Sequence, residues 1–154
     1  MPEFDPAWLA RQIVESSPDG IIFVDTEGVV HLWSPGAERI FGFTADEVLG
    51  RTMDMIIPER LRQRHWDAYH AAMANDSTRY GASDLLAVPA MRKDGARISI
   101  EFTISLLHDE SGRLLGPAAV IRDVTAKFNE TNQMRKRLAE LEAAQKQAAG
   151  EGQA

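Results

Sequence analysis

The chain contains no cysteine, so disulfides, thiolate metal sites and a cysteine nucleophile are all excluded. No apolar run approaches the roughly 20 residues that a membrane-spanning helix requires. The opening MPEFDPAWLA lacks the charged-then-apolar order of a signal peptide. Positive charge is scarce: 17 Lys and Arg against 23 Asp and Glu leave a net charge of −6. With no basic cluster interleaved with aromatics, no nucleic-acid-binding surface is expected. There is no nucleophile elbow and no phosphate-cradling glycine loop; Gly36 to Gly42 reads as helix punctuation. Of the four histidines, His65 and His70 lie about 140° apart around a helix, and no carboxylate cluster supplies further metal ligands. No enzyme is expected here. The default is a cytoplasmic protein with neither a membrane nor a nucleic acid as partner.

What is present is organised around Met91 to Leu107. Asp94-Gly95 is a two-residue hairpin signal of the type I′ kind, because glycine tolerates the positive φ that this turn demands. After it Ile98, Ile100, Phe102, Ile104 and Leu106 fall on one face of a strand, and Ser99, Glu101, Thr103 and Ser105 on the other. Strict period two over such a length means a sheet with one buried and one wetter face. The remaining sequence supplies the cover.

Asp5-Pro6 starts an amphipathic helix with Trp8, Leu9 and Ile13 on one side. Residues 20–25 and 29–33 read as strands about a Thr26-Glu27-Gly28 turn. Ser34-Pro35 opens a short helix stopped by Gly42, and Thr44 to Glu47 forms a capping box for another, closed by Gly50. A long helix is expected over 56–76, a strand over 79–92 with an edge or bulge at Pro89, and a last strand over 114–124. The final helix, 126–149, carries Met134, Leu138 and Leu141 at helical spacing, with Gln145 interrupting the stripe. Two heptads suit a helical linker with a tendency to pair. Residues 150–154 are expected to be disordered. The boundaries are therefore an N-terminal helix (1–17), a domain (18–125), a linker helix and a tail. Two strands, then helices, then three strands make a mixed α+β domain rather than a doubly wound sheet.

In this order the chain resembles a PAS domain over roughly residues 10–125. The matching stretches are DGIIFVDTEGVVHLWSPGAERIFGFTADEVLG, IIPERLRQRH, MRKDGARISIEFTIS and GPAAVIRDVT, with Arg92-Lys93-Asp94-Gly95 and Arg122-Asp123-Val124-Thr125 as recurrent motifs. The resemblance implies a five-stranded antiparallel sheet in the order 2-1-5-4-3, with helices over one face enclosing a pocket. It also implies a sensory role, signal passage through flanking helices to an effector in cis or in trans, and a homodimer paired through Trp8, Leu9 and Ile13.

On the long helix Leu61, His65, Ala68 and Ala72 share a stripe with Tyr69 at its edge, so His65 is expected to face the sheet. Ile57-Pro58-Glu59 followed by Arg62-Gln63-Arg64-His65 is similar to the stretch that carries the haem-ligating histidine of rhizobial oxygen-sensor kinases. That resemblance makes haem b the best single cofactor and His65 its iron ligand. The position of those sensors' distal arginine is Leu86 here, which cannot donate to bound oxygen. An apolar distal wall of Leu86, Phe102 and Ile104 would suit CO or NO as the gas. The expected cavity walls are Leu86, Ile100, Phe102, Ile104 and Val120 from the sheet, and Ile56, Tyr69 and Met73 from the helices. Sequence leaves open whether that space is hollow or filled. The lack of cysteine excludes a photochemical flavin adduct but leaves non-covalent flavin open. The alternative to a ligand-bound sensor is a ligand-free PAS module for homodimerisation or partner binding.

Overall fold

Three turns of one construction build the sheet. The computed structural model describes residues 3–81 and 84–153. In it Asp25, Arg92 and Asp109 each accept at their carbonyl from the amide of Gly28, Gly95 and Gly112, three residues on. Each also donates its own amide to the carbonyl one residue past that glycine. The glycines take φ of 91°, 83° and 85°, whereas Asp94 is not among the positive-φ residues. The hairpin at Asp94-Gly95 is therefore a type I turn followed by a left-handed glycine, with a longer loop than the type I′ turn expected. Asp94 Oδ1 accepts from the Ala96 amide instead, an Asx contact that keeps the aspartate in ordinary backbone geometry.

The strands are β1 (Gly20–Val24), β2 (Val30–Trp33), β3 (Leu86–Met91), β4 (Arg97–His108) and β5 (Leu114–Asp123). They form a single five-stranded sheet in the order β2-β1-β5-β4-β3. Every pairing is antiparallel. Pro89 falls on edge strand β3, where its missing amide costs no central ladder bond. The strand expected over 79–92 is shorter than that, and residues 82 and 83 lie outside the described residues. Before β3, Thr78 Oγ1 donates to the Tyr80 carbonyl and Asp84 Oδ2 accepts from the Gly81 amide. Such local bonds compete with a ladder.

The helices are α1 (Pro6–Ser16), α2 (Pro35–Phe41), α3 (Ala45–Val48) and α4 (Glu59–Asn75), with a 3-10 turn at Met53–Ile56. α4 starts later than residue 56 because Pro58 forces Ile57 into extended backbone at φ −98° and ψ 123°. The Thr44–Glu47 capping box is present. The filled core lies at one end, where Val24, Val30, Phe41 and Val48 are essentially inaccessible and Trp33, Ile22, Ile98 and Ile100 close around them.

The recurrent motifs are structural ties. Arg92 donates to the carbonyls of Arg39 and Ile40, and the Lys93 amide to that of Phe41, so the β3–β4 hairpin caps the open end of α2. Arg122 makes a bidentate pair with Asp19 at 3.0 and 2.9 Å, joining the end of β5 to the turn before β1. These contacts belong to a unit that ends at Asp123.

A second unit begins at Val124 and consists of α5 (Thr125–Glu151). The helix starts one residue earlier than expected, at Thr125, and continues through Glu151, into the stretch expected to be disordered. Phe128, Met134, Leu138 and Leu141 are all exposed on it.

Candidate ligand cavity

The inner face of the sheet is filled only in part. Beyond the core a cavity of about 900 Å³ opens between α4 and strands β3, β4 and β5. Its size falls within the range of about 300–1,000 Å³ typical of small-molecule sites. Of the expected wall residues Ile56, His65, Tyr69, Met73, Leu86, Ile100, Phe102 and Ile104 all line it.

Val120 does not. It pairs with Ile21 and Thr103, residues of the outer face, and is 46% exposed. The inward positions of β5 are Pro117, Ala119 and Ile121, of which Ala119 faces Ile22 and Ile104, and Ile121 faces Phe102. A strand with apolar residues on both faces gives no alternation from which its parity can be read, and a shift of one residue exchanges its two faces.

α4 presents Leu61, Arg64, His65, Ala68, Tyr69 and Ala72 to the cavity, the broad stripe that helical spacing places on one side. His65 is half-buried, packed edge-on to Trp66 with centroids 4.8 Å apart and tilted against Tyr69 at 5.9 Å. Its Nδ1 is buried and has no hydrogen-bond partner among the described residues. Burial pushes the imidazole pKa below its ordinary value, outweighing the opposite pull of Asp54, and neighbouring His70 lowers it further. The ring is thus biased to the neutral form, which carries a lone pair and suits ligation.

Two neighbours fix the rear of α4. Tyr69, 8% exposed, donates its hydroxyl to the Asp25 carbonyl in the first hairpin. Its phenol pKa is raised, by burial first and the Asp25 charge second. Trp66 donates its indole N–H to Asp54 Oδ1 at 2.7 Å, and its six-membered ring lies close against Gly28.

Leu86, Phe102 and Ile104 form a wall without a side-chain donor, Leu86 pairing directly with Phe102. Sequence reasoning overlooked Arg64 and Arg79, which also line the cavity. The signal for Arg64 was its place beside His65 on the same helical face; Arg79 follows α4 in an irregular segment that periodicity does not cover.

Trp8, Leu9 and Ile13 lie away from the cavity. α1 has no buried residue, and these three are 50%, 41% and 60% exposed. The outer sheet face also carries exposed Leu32, Leu107 and Val120.

An α+β domain with helices on one face of a 2-1-5-4-3 sheet is the architecture of the PAS fold. The model of the family described as the PAS fold matches residues 14–127, and the chain belongs to that family. It is 30% identical over 132 residues to the sensor protein FixL of Bradyrhizobium diazoefficiens, a match covering 86% of this chain and 25% of that protein. The chain thus spans about a quarter of this relative's length. Among solved structures it is similar to the PAS domain of a Colwellia psychrerythraea protein (TM-score 0.68, 19% identity, 79% of this chain and 99% of that one). It is also similar to an RNA-binding light-oxygen-voltage receptor (TM-score 0.69, 20% identity, 90% and 41%). Among the described residues no helix is long and apolar enough to cross a membrane. No group of three or more His, Cys, Asp or Glu there is placed to hold a metal ion.

Proposed function

We propose that this PAS domain is a sensory module without catalytic activity whose cavity takes haem b, with His65 as the iron's protein ligand. The observation that carries the reading is His65 itself: an imidazole on the wall of an apolar cavity, biased to the neutral form, with a buried nitrogen that nothing else partners. The similarity to a sensor protein and the resemblance of the Ile57–His65 stretch to haem-binding oxygen sensors support it. When bound, haem supplies an iron centre at which a diatomic gas coordinates. The chain's own part is to hold the iron through a neutral imidazole, to exclude water with Ile100, Phe102 and Ile104, and to offer no donor from Leu86. That wall selects CO or NO over oxygen.

The test is an absorption spectrum of the purified protein with haemin, then dithionite, then CO. A Soret band that shifts with CO and is lost in His65→Ala is the expected result. No haemin uptake, or an unchanged spectrum in the variant, overturns the reading.

Occupancy is read out through α1 and α5, with the effector in cis or in trans, and the domain acts as a cytoplasmic homodimer. The exposed Trp8, Leu9 and Ile13 favour this: about half of each is still open, so covering them with a second copy is worth about 1 kcal/mol each. The same stripe supports the second reading, a ligand-free module for homodimerisation or partner binding. Sedimentation of Trp8→Ser/Ile13→Ser separates the two roles. Loss of the dimer with haemin uptake intact assigns pairing to α1, and an unchanged dimer removes α1 from the interface.

A further inference from the structure

The cavity lining is unbalanced in charge. Among the described residues it contains two arginines, Arg64 and Arg79, and no aspartate, glutamate or lysine. Neither arginine is in an ion pair with another described residue, whereas Arg92, Arg113 and Arg122 each have a carboxylate partner. Both are exposed, so their guanidinium groups stand at the mouth rather than in the apolar interior. Arg79 is steadied there over the ring of Tyr80, 5.7 Å from its centroid. Most of the lining's remaining polar groups, Asn75, Ser77 and Thr78 among them, gather at the end of α4 and on the stretch that follows it. The rest of the wall is largely aliphatic and aromatic.

We propose that the ligand is an amphipathic carboxylic acid, its apolar body in the cavity and its carboxylate at the mouth with Arg79, with Arg64 as a second cationic contact. The proposal rests on reading the cavity as a ligand site, but not on haem: haem with its propionates is one member of the class and a long-chain fatty acid is another. Guanidinium is suited to the task, because it pairs with carboxylate through two parallel hydrogen bonds and stays charged at any working pH. An apolar body alone would leave both cations without an anion on the ligand side. A cationic ligand would be repelled.

The experiment uses the full chain and two matched pairs of probes: cis-parinaric acid with its methyl ester, followed by fluorescence, and haemin with its dimethyl ester, followed by absorption. Each ester keeps the apolar body and removes the charge. The acids are expected to bind about tenfold or more tighter than the esters, the scale of one charge-assisted contact at a partly exposed site. Arg64→Gln/Arg79→Gln should bring the acids down to their esters and leave ester affinity unchanged. Far-UV circular dichroism checks that the variant is folded. Equal binding of acid and ester, or a preference that survives in the double variant, overturns the proposal. A parinarate preference without haemin uptake supports it and sinks the haem reading. Haemin bound no better than its ester does the reverse, and binding of none of the four probes removes both.

Discussion

Whether the cavity is hollow decides the sign of one substitution. Ala119 sits on β5 between Ile22 and Ile104 on the inner face, with its methyl towards the open space. Replacing it with isoleucine adds carbons that a hollow site can bury and a filled one cannot. At about 0.8 kcal/mol per buried carbon the gain is about 2.4 kcal/mol. Fixing the new side chain costs about 0.5–1 kcal/mol. Because the site is open at one side, about 1 kcal/mol remains, helped by the fit of a β-branched residue to a strand. For a domain of this size that raises Tm by about 3–5 °C. A filled core would instead be overpacked, at a cost of about 1–3 kcal/mol. Urea denaturation of wild type and Ala119→Ile measures the difference, read as a midpoint shift at constant m. Haemin and parinarate titrations accompany it, and both should weaken as the new side chain occupies their space. A destabilised Ala119→Ile protein with native circular dichroism would refute the hollow cavity.

Two further substitutions test the frame around the site. A Cβ on Gly28 would meet the Trp66 ring at 2.5 Å, and Asp54 holds that ring in place, whereas one on Gly112 in the equivalent turn meets nothing within 4 Å. Gly112→Ala should therefore cost only its left-handed backbone, about 1–2 kcal/mol, and Gly28→Ala that plus about 1–3 kcal/mol of overpacking. Equal urea midpoints would remove Trp66 from the account. The Asp19 carboxyl is held below its ordinary pKa, chiefly by its hydrogen bonds to Arg122. A depressed carboxylate stabilises the fold fully above its unfolded value of about 3.9, and that contribution is lost as pH falls through the lower folded value. The Tm gap between wild type and Asp19→Asn should accordingly be constant from pH 7 to 5 and close below pH about 4. A gap that persists at low pH would place the variant's effect elsewhere.

Most of the architecture was legible because local chemistry and burial agreed. Period two over Ile98–Leu106 set the longest strand, β4, and Thr44 to Glu47 capped α3 as its residue types require. The recurrent motifs were visible as motifs, but their work was not. That Arg92 caps α2 depends on a contact between residues more than fifty positions apart. β5 defeated the pattern: Ala118, Ala119, Val120 and Ile121 are apolar on both faces, so Val120 was assigned inward when only its pairing with Thr103 and Ile21 places it outward. The start of the strand expected over 79–92 failed for another reason, since Thr78, Gly81 and Asp84 bond backbone groups of their own segment before a ladder can form. At the site, helical periodicity was enough to turn His65 inward. It could not reveal the cationic mouth, because an exposed arginine on a helix ordinarily signals only solvent.

The way α4 is held bears on what occupancy can do. Its one buried residue is Tyr69, and its apolar stripe opens onto the cavity instead of meeting the sheet. What fixes it is a set of polar ties at its margins. Tyr69 bonds to Asp25, Trp66 bonds to Asp54, and Asp76 at its C-terminal cap pairs with His108 of β4 at 2.8 Å. Ties of this kind hold position with less energy than a packed interface, since each contributes about 1 kcal/mol net. The filled end of the same face has the reverse character, with α2 seated on β1 and capped by the β3–β4 hairpin. A ligand filling the cavity adds to α4 the packing it lacks and adds little to α2. It can therefore favour one placement of α4 over another by the difference in contacts it makes with each, which is the requirement for a bound molecule to shift a conformational equilibrium. Within this domain, α4 is the element on which such a difference would act.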